Sequence, residues 1–333
     1  MAEIPVLDLS DLRAGRPGAL ARIAGELRQA CEQVGFYYLT GHGVPRDLVD
    51  RVFDEARRFH AQPLDAKLEL KAGSDNVGYM PHRGSVSRAS RIYHGDTPNR
   101  NEAFFLKRDL PPDHPDVLAG RRFRPLNRWP ADLPGFRETV LDYADRMEAL
   151  ALSLLPIYAQ ALELPETFFD EAFRDPQYTL RLTRYDCPSA FEDDEFSLAP
   201  HTDSSFMTLL ATTDVPGLSI RLPSGDWIDA PALPDSFIVN TGDMGHRWTN
   251  ERFLSTPHRV RNLSGRERYA IPFFFDCTID YPMECLPTCQ GPDNPPRYPP
   301  TTYHDYMVWF TNANYAHVRD APSSTTGDIA HPA

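Results

Sequence analysis

The chain contains no apolar run near the ~20 residues that a membrane-spanning helix requires. Its first residues, MAEIPVLDLSDL, carry neither a basic region nor a sustained apolar core. The sequence therefore predicts no membrane span and no signal peptide. Basic residues are in deficit, with 34 Lys and Arg against 47 Asp and Glu and a formal net charge of −13. Binding to nucleic acid rests on a basic face, so this balance argues against a nucleic-acid partner while leaving room for a local basic pocket around a small anion. Cysteine is also scarce. Cys31, Cys187, Cys277, Cys285 and Cys289 are odd in number and scattered, which makes no disulfide framework. Cys285 and Cys289 stand four apart in a Pro-rich segment and read as free thiols, with a disulfide or metal pair as the alternative. Free thiols suit a reducing cytoplasm, the expected location. There is no internal repeat and no long low-complexity tract.

What the 333 residues do contain is periodicity. A short strand is expected at 4–9, an amphipathic helix at 18–34 (Leu20, Ile23, Ala24, Leu27, Cys31, Val34), a strand at 35–40 and a second helix at 46–61. Residues 62–130 are rich in turn formers, with one short strand at 102–106. A long helix is expected at 134–163, its buried stripe formed by Val140, Ala144, Met147, Ala151, Leu154, Tyr158 and Leu162, with a kink at Pro156. From about 178 to 275 short β-runs alternate with Pro, Gly and Asp, the pattern of a sandwich or jelly roll. One more helix is expected at 300–317, and the last dozen residues read as disordered.

The chemistry concentrates in the β-rich stretch. His201 and Asp203 are two apart, and strand residues i and i+2 share a face, so both can reach one ion. His258 supplies a second imidazole from a later strand, and Arg268 follows as a cation. Two imidazoles and one carboxylate form the facial set that holds non-haem Fe(II) and leaves coordination positions open. A structural zinc site would instead take four ligands and favour thiolates. His246 belongs to the turn after Asn240 rather than to the metal.

The surrounding residues, the Val-Pro-Gly-Leu run at 215–218, Trp227, the Asn-Thr-Gly-Asp turn at 240–243 and the Pro-His-Arg-Val run at 257–260, resemble the isopenicillin-N-synthase-like branch of the 2-oxoglutarate- and Fe(II)-dependent dioxygenases. The resemblance spans nearly the whole chain. It implies a mainly β fold with helical additions, a distorted double-stranded β-helix (jelly roll) core supported by N-terminal and central helices. It divides one integrated unit into 1–130 (N-terminal region), 131–175 (supporting helix), 176–280 (core) and 281–333 (C-terminal loop, helix and tail). It implies His201, Asp203 and His258 as ligands of Fe(II), with 2-oxoglutarate and O2 as co-substrates and no catalytic side chain beyond the metal site.

The family's Arg-x-Ser grip on the distal carboxylate of 2-oxoglutarate corresponds to Arg268 and Ala270, so one hydroxyl is missing. Its Asn-x-Tyr corresponds to Thr183 and Tyr185. The guanidinium of Arg268 suits a carboxylate, and loss of the serine should weaken 2-oxoglutarate binding without abolishing it. The implied reaction is oxidation of a small-molecule C–H bond, hydroxylation above all, with release of succinate and CO2. An Fe(II) oxidase that uses no 2-oxoglutarate, of the isopenicillin N synthase or aminocyclopropanecarboxylate oxidase type, and a non-catalytic ligand-binding relative are the alternatives. Tyr79, Arg83, Phe105, Ser205 and Phe274 are the candidate substrate contacts, with Asn314 and His317 as covers from the tail. Inward-facing arginines (Arg83, Arg88, Arg91) would favour an acidic or amino-acid-like substrate.

Overall fold

The computed structural model describes residues 3–315. His317 and the expected tail at 322–333 lie outside the described residues. Twelve strands form among those described: β1 (Val6–Asp8), β2 (Phe36–Thr40), β3 (Gly78–Met80), β4 (Asn101–Lys107), β5 (Gln177–Tyr185), β6 (Leu198–His201), β7 (Met207–Thr212), β8 (Leu218–Arg221), β9 (Trp227–Asp229), β10 (Phe237–Thr241), β11 (His258–Val260) and β12 (Arg268–Asp276). They make an eight-stranded sheet, ordered β1-β2-β10-β7-β12-β5-β4-β3, and a four-stranded sheet, ordered β6-β11-β8-β9. The N-terminal strands are integral to the large sheet, because β2 pairs with β10 and β4 with β5.

Strict alternation along the large sheet separates two environments. On β12, Tyr269, Ile271, Phe273 and Phe275 enter the main core, as do Tyr178, Leu180 and Leu182 of β5 and Met207, Leu209 and Ala211 of β7. That face is covered by helices, chiefly Ala19–Gln33, Arg46–His60 and Phe136–Ala161. The predicted stripe of the long helix, Val140 through Tyr158, is buried there. Pro156, the expected kink position, lies inside this one continuous helix, where it removes one N–H from the ladder.

The opposite face of the large sheet looks towards the small sheet. Phe36, Tyr185, Leu218, Ile220, Ile238, Val260 and Ala270 form a second, smaller cluster between them. Polar residues share this inner face, and there the candidate site lies. The turn-rich region 62–130 also contains elements that its composition hides: the helix Leu64–Glu69 and strand β3. The C-terminal helix Tyr303–Asn314 begins with Thr302, whose hydroxyl accepts from the Asp305 N–H. All five cysteines are free thiols. Among the described residues no helix is long and apolar enough to cross a membrane.

Phe273 is fully buried at the joint between the large sheet and its helices, 4.8 Å from the Tyr178 ring. Phe273→Ala is expected to cost about 3–5 kcal/mol of unfolding free energy, read as a lower denaturant midpoint at unchanged slope. Leu118→Ala, at a side chain 74% exposed, should stay within about 0.5 kcal/mol. Equal effects at the two positions would contradict this placement of the core.

Candidate metal centre and adjoining cavities

His201 is the last residue of β6, and beyond it the chain leaves the sheet, which places Asp203 in the connection to β7. His258 opens β11 and lies directly across from His201 in the antiparallel register. The two rings stand 4.3 Å apart. Nε2 of His201 is 3.7 Å from Asp203 Oδ1, and Nε2 of His258 is 3.6 Å from the same atom. All three donor atoms lie within 4.8 Å of one another, so the three residues could hold one metal ion.

The remaining polar atoms of the trio are tied down. Nδ1 of His201 faces the Ala199 carbonyl at 2.9 Å, and Nδ1 of His258 faces the Thr256 carbonyl at 3.2 Å. Each carbonyl calls for a proton on Nδ1 and leaves Nε2 free as a donor to a metal. Asn240 Nδ2 donates to Asp203 Oδ2 at 2.8 Å, and the Asp243 N–H donates to the Asp203 carbonyl at 2.7 Å. Asp243 in turn accepts from Thr202, Ser255 and Tyr306. Gly242 is required by close approach, since a Cβ there would meet the Ser205 carbonyl oxygen at 2.2 Å.

Electrostatics prepares the same atoms. Burial, reinforced by His258, pushes His201 down to about 3, so its imidazole is neutral. Burial alone would raise Asp203, but His258, His201 and the Asn240 bond hold it well below the usual carboxylate range. Burial would lower His258, and the Asp203 carboxylate outweighs it, leaving His258 above its ordinary value. The metal-free trio is therefore a carboxylate with one imidazolium at lower pH, and a metal ion must displace that proton. Neutral imidazole nitrogens, one carboxylate and no thiolate suit ferrous iron.

Two cavities open from the trio. The smaller is lined by His201, Asp203, His258, Tyr185, Arg268, Ala270, Pro272 and Phe274 among others; the expected alternation along β12 from Arg268 to Phe274 is seen in this lining. Arg268 is 2% exposed. Its Nη2 donates to Thr212 Oγ1 at 2.8 Å, its guanidinium lies 5.2 Å from the centre of the Tyr185 ring, and its Nε has no partner. No carboxylate pairs with it among the described residues. A buried guanidinium without a counter-ion is costly, and burial lowers its pKa. The cavity thus offers a cation to an incoming anion. Thr212, which sequence reasoning passed over, sits opposite Ala270 in the β7–β12 register and supplies a hydroxyl beside the Ala270 position.

The larger cavity, about 780 Å³ including the part open to solvent, shares His201, Asp203, Phe274 and Arg181 with the first and adds Phe105, Lys107, Thr179, Asp276, Tyr303 and Asn314. Other expected contacts fall elsewhere. Thr183 is buried between Ala103 and Ala270, its hydroxyl without a partner, and lines neither cavity. Tyr79 points into the helix-side core and donates to Glu102, because alternation on β3 sends it opposite to Met80. Arg83 is held by Glu195. Ser205 is buried, its hydroxyl 2.8 Å from that of Thr208; β6 ends at His201, so strand alternation no longer carries Ser205 to the ligands' side. Arg88 pairs with Asp96, and Arg91 lies 3.9 Å from Asp243. His246 faces the Phe253 carbonyl and takes no part in the trio. Arg181 went unnoticed in sequence; its one signal is the period-two spacing from Tyr185.

Comparison with known proteins agrees with this geometry. Residues 4–132 match the family model described as non-haem dioxygenase in morphine synthesis N-terminal, and residues 177–276 match that of the 2OG-Fe(II) oxygenase superfamily. The chain is 36% identical over 311 residues to the 2-oxoglutarate-Fe(II) type oxidoreductase hxnY of Emericella nidulans, covering 91% of this chain and 88% of that protein. It is 33% identical over 320 residues to kihadalactone A synthase LFS of Citrus sinensis, covering 92% of each. Among solved structures, JOX2 in complex with 2OG, Fe and JA superposes with a TM-score of 0.77 at 29% identity, over 97% of this chain and 90% of that one. A 2OG-Fe(II) oxygenase family protein of Caulobacter crescentus gives 0.80 at 27%, over 93% and 98%.

Because His258 is held above its ordinary value by Asp203, metal uptake should release a proton when the pH lies below the His258 value and none well above it. Affinity for Mn(II) or Fe(II) should therefore rise with pH and then level off. Calorimetry in buffers of different ionisation enthalpy measures the released proton directly. A pH-independent affinity between pH 6 and 8, with no proton released, would contradict the assigned charge states.

Proposed function

The chain belongs to the 2-oxoglutarate- and Fe(II)-dependent oxygenase superfamily, and from that membership we propose that it hydroxylates a C–H bond of an acidic small molecule, with His201, Asp203 and His258 holding the iron. The balanced reaction takes substrate, 2-oxoglutarate and O2 to the alcohol, succinate and CO2. Bound Fe(II), with 2-oxoglutarate and O2, supplies the oxidising power for the C–H bond.

The protein's own residues do the rest. Arg268 offers two N–H groups to the distal carboxylate of 2-oxoglutarate, which satisfies an otherwise unpaired buried cation. Thr212 fixes the plane of that guanidinium, and Tyr185 stands against its face. Phe274 and Pro272 wall the cavity and exclude water. Neutral His201 and ionised Asp203 present their donor atoms without prior loss of a proton. Asn240 keeps Asp203 from turning away. An acidic substrate is supported by two cations, Arg181 and Lys107, lining the larger cavity beside the trio. The observation that carries the whole reading is buried Arg268, without a carboxylate partner among the described residues, in a cavity that it shares with all three candidate ligands.

With Fe(II), ascorbate and 2-oxoglutarate, the protein should release succinate. Arg268→Gln should raise the KM for 2-oxoglutarate roughly ten- to hundredfold, the worth of a charge-assisted pair, whereas Phe274→Ala should keep substrate-independent release. Substrate turnover at full rate without 2-oxoglutarate would instead identify an oxidase.

A further inference from the structure

The larger cavity has two polar ends. On the inner face of the large sheet, register places side chains in rungs across β4, β5 and β12. Phe105 lies opposite Arg181, and one step of two residues along, Lys107 and Phe274 flank Thr179. Asp276 follows Phe274 on the same face of β12. Such a step is about 6.5–7 Å.

At one end stands Arg181. It is 8% exposed and lines both cavities. Its guanidinium rests 4.8 Å from the centre of the Phe105 ring, its Nε is unpartnered, and no carboxylate lies within ion-pair distance among the described residues. At the other end the ammonium of Lys107, 2% exposed, donates to Thr179 Oγ1 at 2.5 Å and lies 5.5 Å from the centre of the Phe123 ring, with no further hydrogen-bond acceptor among the described residues. Asp276, 3% exposed, accepts the Phe206 N–H at 2.7 Å through Oδ1, and among the described residues its Oδ2 has no hydrogen-bond partner. The Tyr303 hydroxyl neighbours Thr179 and Asp276. Burial pushes Asp276 up to about 8 and Lys107 down to about 8, so desolvation works against the charged form of each group until a ligand meets it.

Neither end is explained by the fold, because a buried donor and a buried acceptor facing a cavity each carry a desolvation cost until a ligand meets them. We propose that Lys107, Thr179, Tyr303 and Asp276 form a second polar subsite opposite Arg181. The substrate is then a small carboxylate with a short, flat or apolar body and, at its far end, a hydroxyl- or amide-type group that accepts from Lys107 and donates to Asp276. Arg181 takes the carboxylate, and Phe105 and Phe274 flank the body. This inference rests on the dioxygenase reading above and narrows its substrate class.

Protein loaded with Fe(II) and 2-oxoglutarate under anaerobic conditions is titrated with 4-hydroxybenzoate, benzoate and phenol, whose polar groups span both ends, the Arg181 end and the Lys107–Asp276 end respectively. The expected order is 4-hydroxybenzoate tighter than either of the others by roughly tenfold, the worth of charge-assisted hydrogen bonds. Lys107→Met should bring 4-hydroxybenzoate to the affinity of benzoate and leave benzoate unchanged. Asp276→Asn, which keeps an acceptor for the Phe206 N–H, should do so in part. Arg181→Gln should weaken both acids and spare phenol. Melting temperature and 2-oxoglutarate affinity, measured before probe is added, should be those of the unaltered protein for the Lys107 and Asp276 variants. The proposal is overturned if the three probes bind alike, or if the hydroxyl advantage survives in both Lys107→Met and Asp276→Asn. It is also overturned if Arg181→Gln weakens 2-oxoglutarate rather than the acids. Failure of the unaltered protein to bind 2-oxoglutarate would register separately, as failure of the dioxygenase reading.

Discussion

A single buried carboxylate organises the centre of this protein. Asp203 has one oxygen turned towards two imidazole nitrogens and the other held by Asn240. Its backbone carbonyl is held as well, by the Asp243 N–H. A buried carboxylate with this many fixed partners stays ionised, and together with two imidazole nitrogens it offers a donor set that could hold a metal ion. The surrounding loop is shaped to keep it so. Gly242 allows the Ser205 backbone to approach, and Asp243 gathers Thr202, Ser255 and Tyr306 around the same turn.

Around this anion the inner face of the large sheet carries two cations, Arg268 and Arg181 on neighbouring strands β12 and β5, that have no counter-ion among the described residues. Proteins rarely leave such groups buried and unpaired. Each faces a cavity that reaches the trio. The arrangement makes chemical sense when both cavities receive anions: a dicarboxylic co-substrate at Arg268 and an acidic substrate at Arg181. Aromatic and aliphatic neighbours keep the effective dielectric low, so that each pairing is stronger than it would be in water.

Several parts of this picture were legible in the linear chain. Helical periodicity on the long helix foretold its buried stripe, Val140 through Tyr158. The spacing of His201, Asp203 and His258, set in a β-rich stretch, pointed to the trio, and the run from Arg268 to Phe274 correctly assigned one face of β12. A side chain's direction is hidden in the linear chain where it depends on where its element stops. Ser205, a candidate substrate contact, lies beyond the end of β6 at His201, and its hydroxyl meets that of Thr208 instead. Tyr79, another candidate contact, lies on a three-residue strand whose alternation turns it into the helix-side core.

Sequence by itself determined the donor types, their spacing and the amphipathic elements, because these follow from local periodicity and from the chemistry of imidazole, carboxylate and guanidinium. Only the tertiary structure decided which charges are paired. Arg83 meets Glu195, more than a hundred residues away along the chain, and is thereby withdrawn from any ligand, while Arg181 meets no carboxylate among the described residues and remains available. Ion pairing depends on distances of a few ångströms between residues remote along the chain, a quantity that no local pattern encodes.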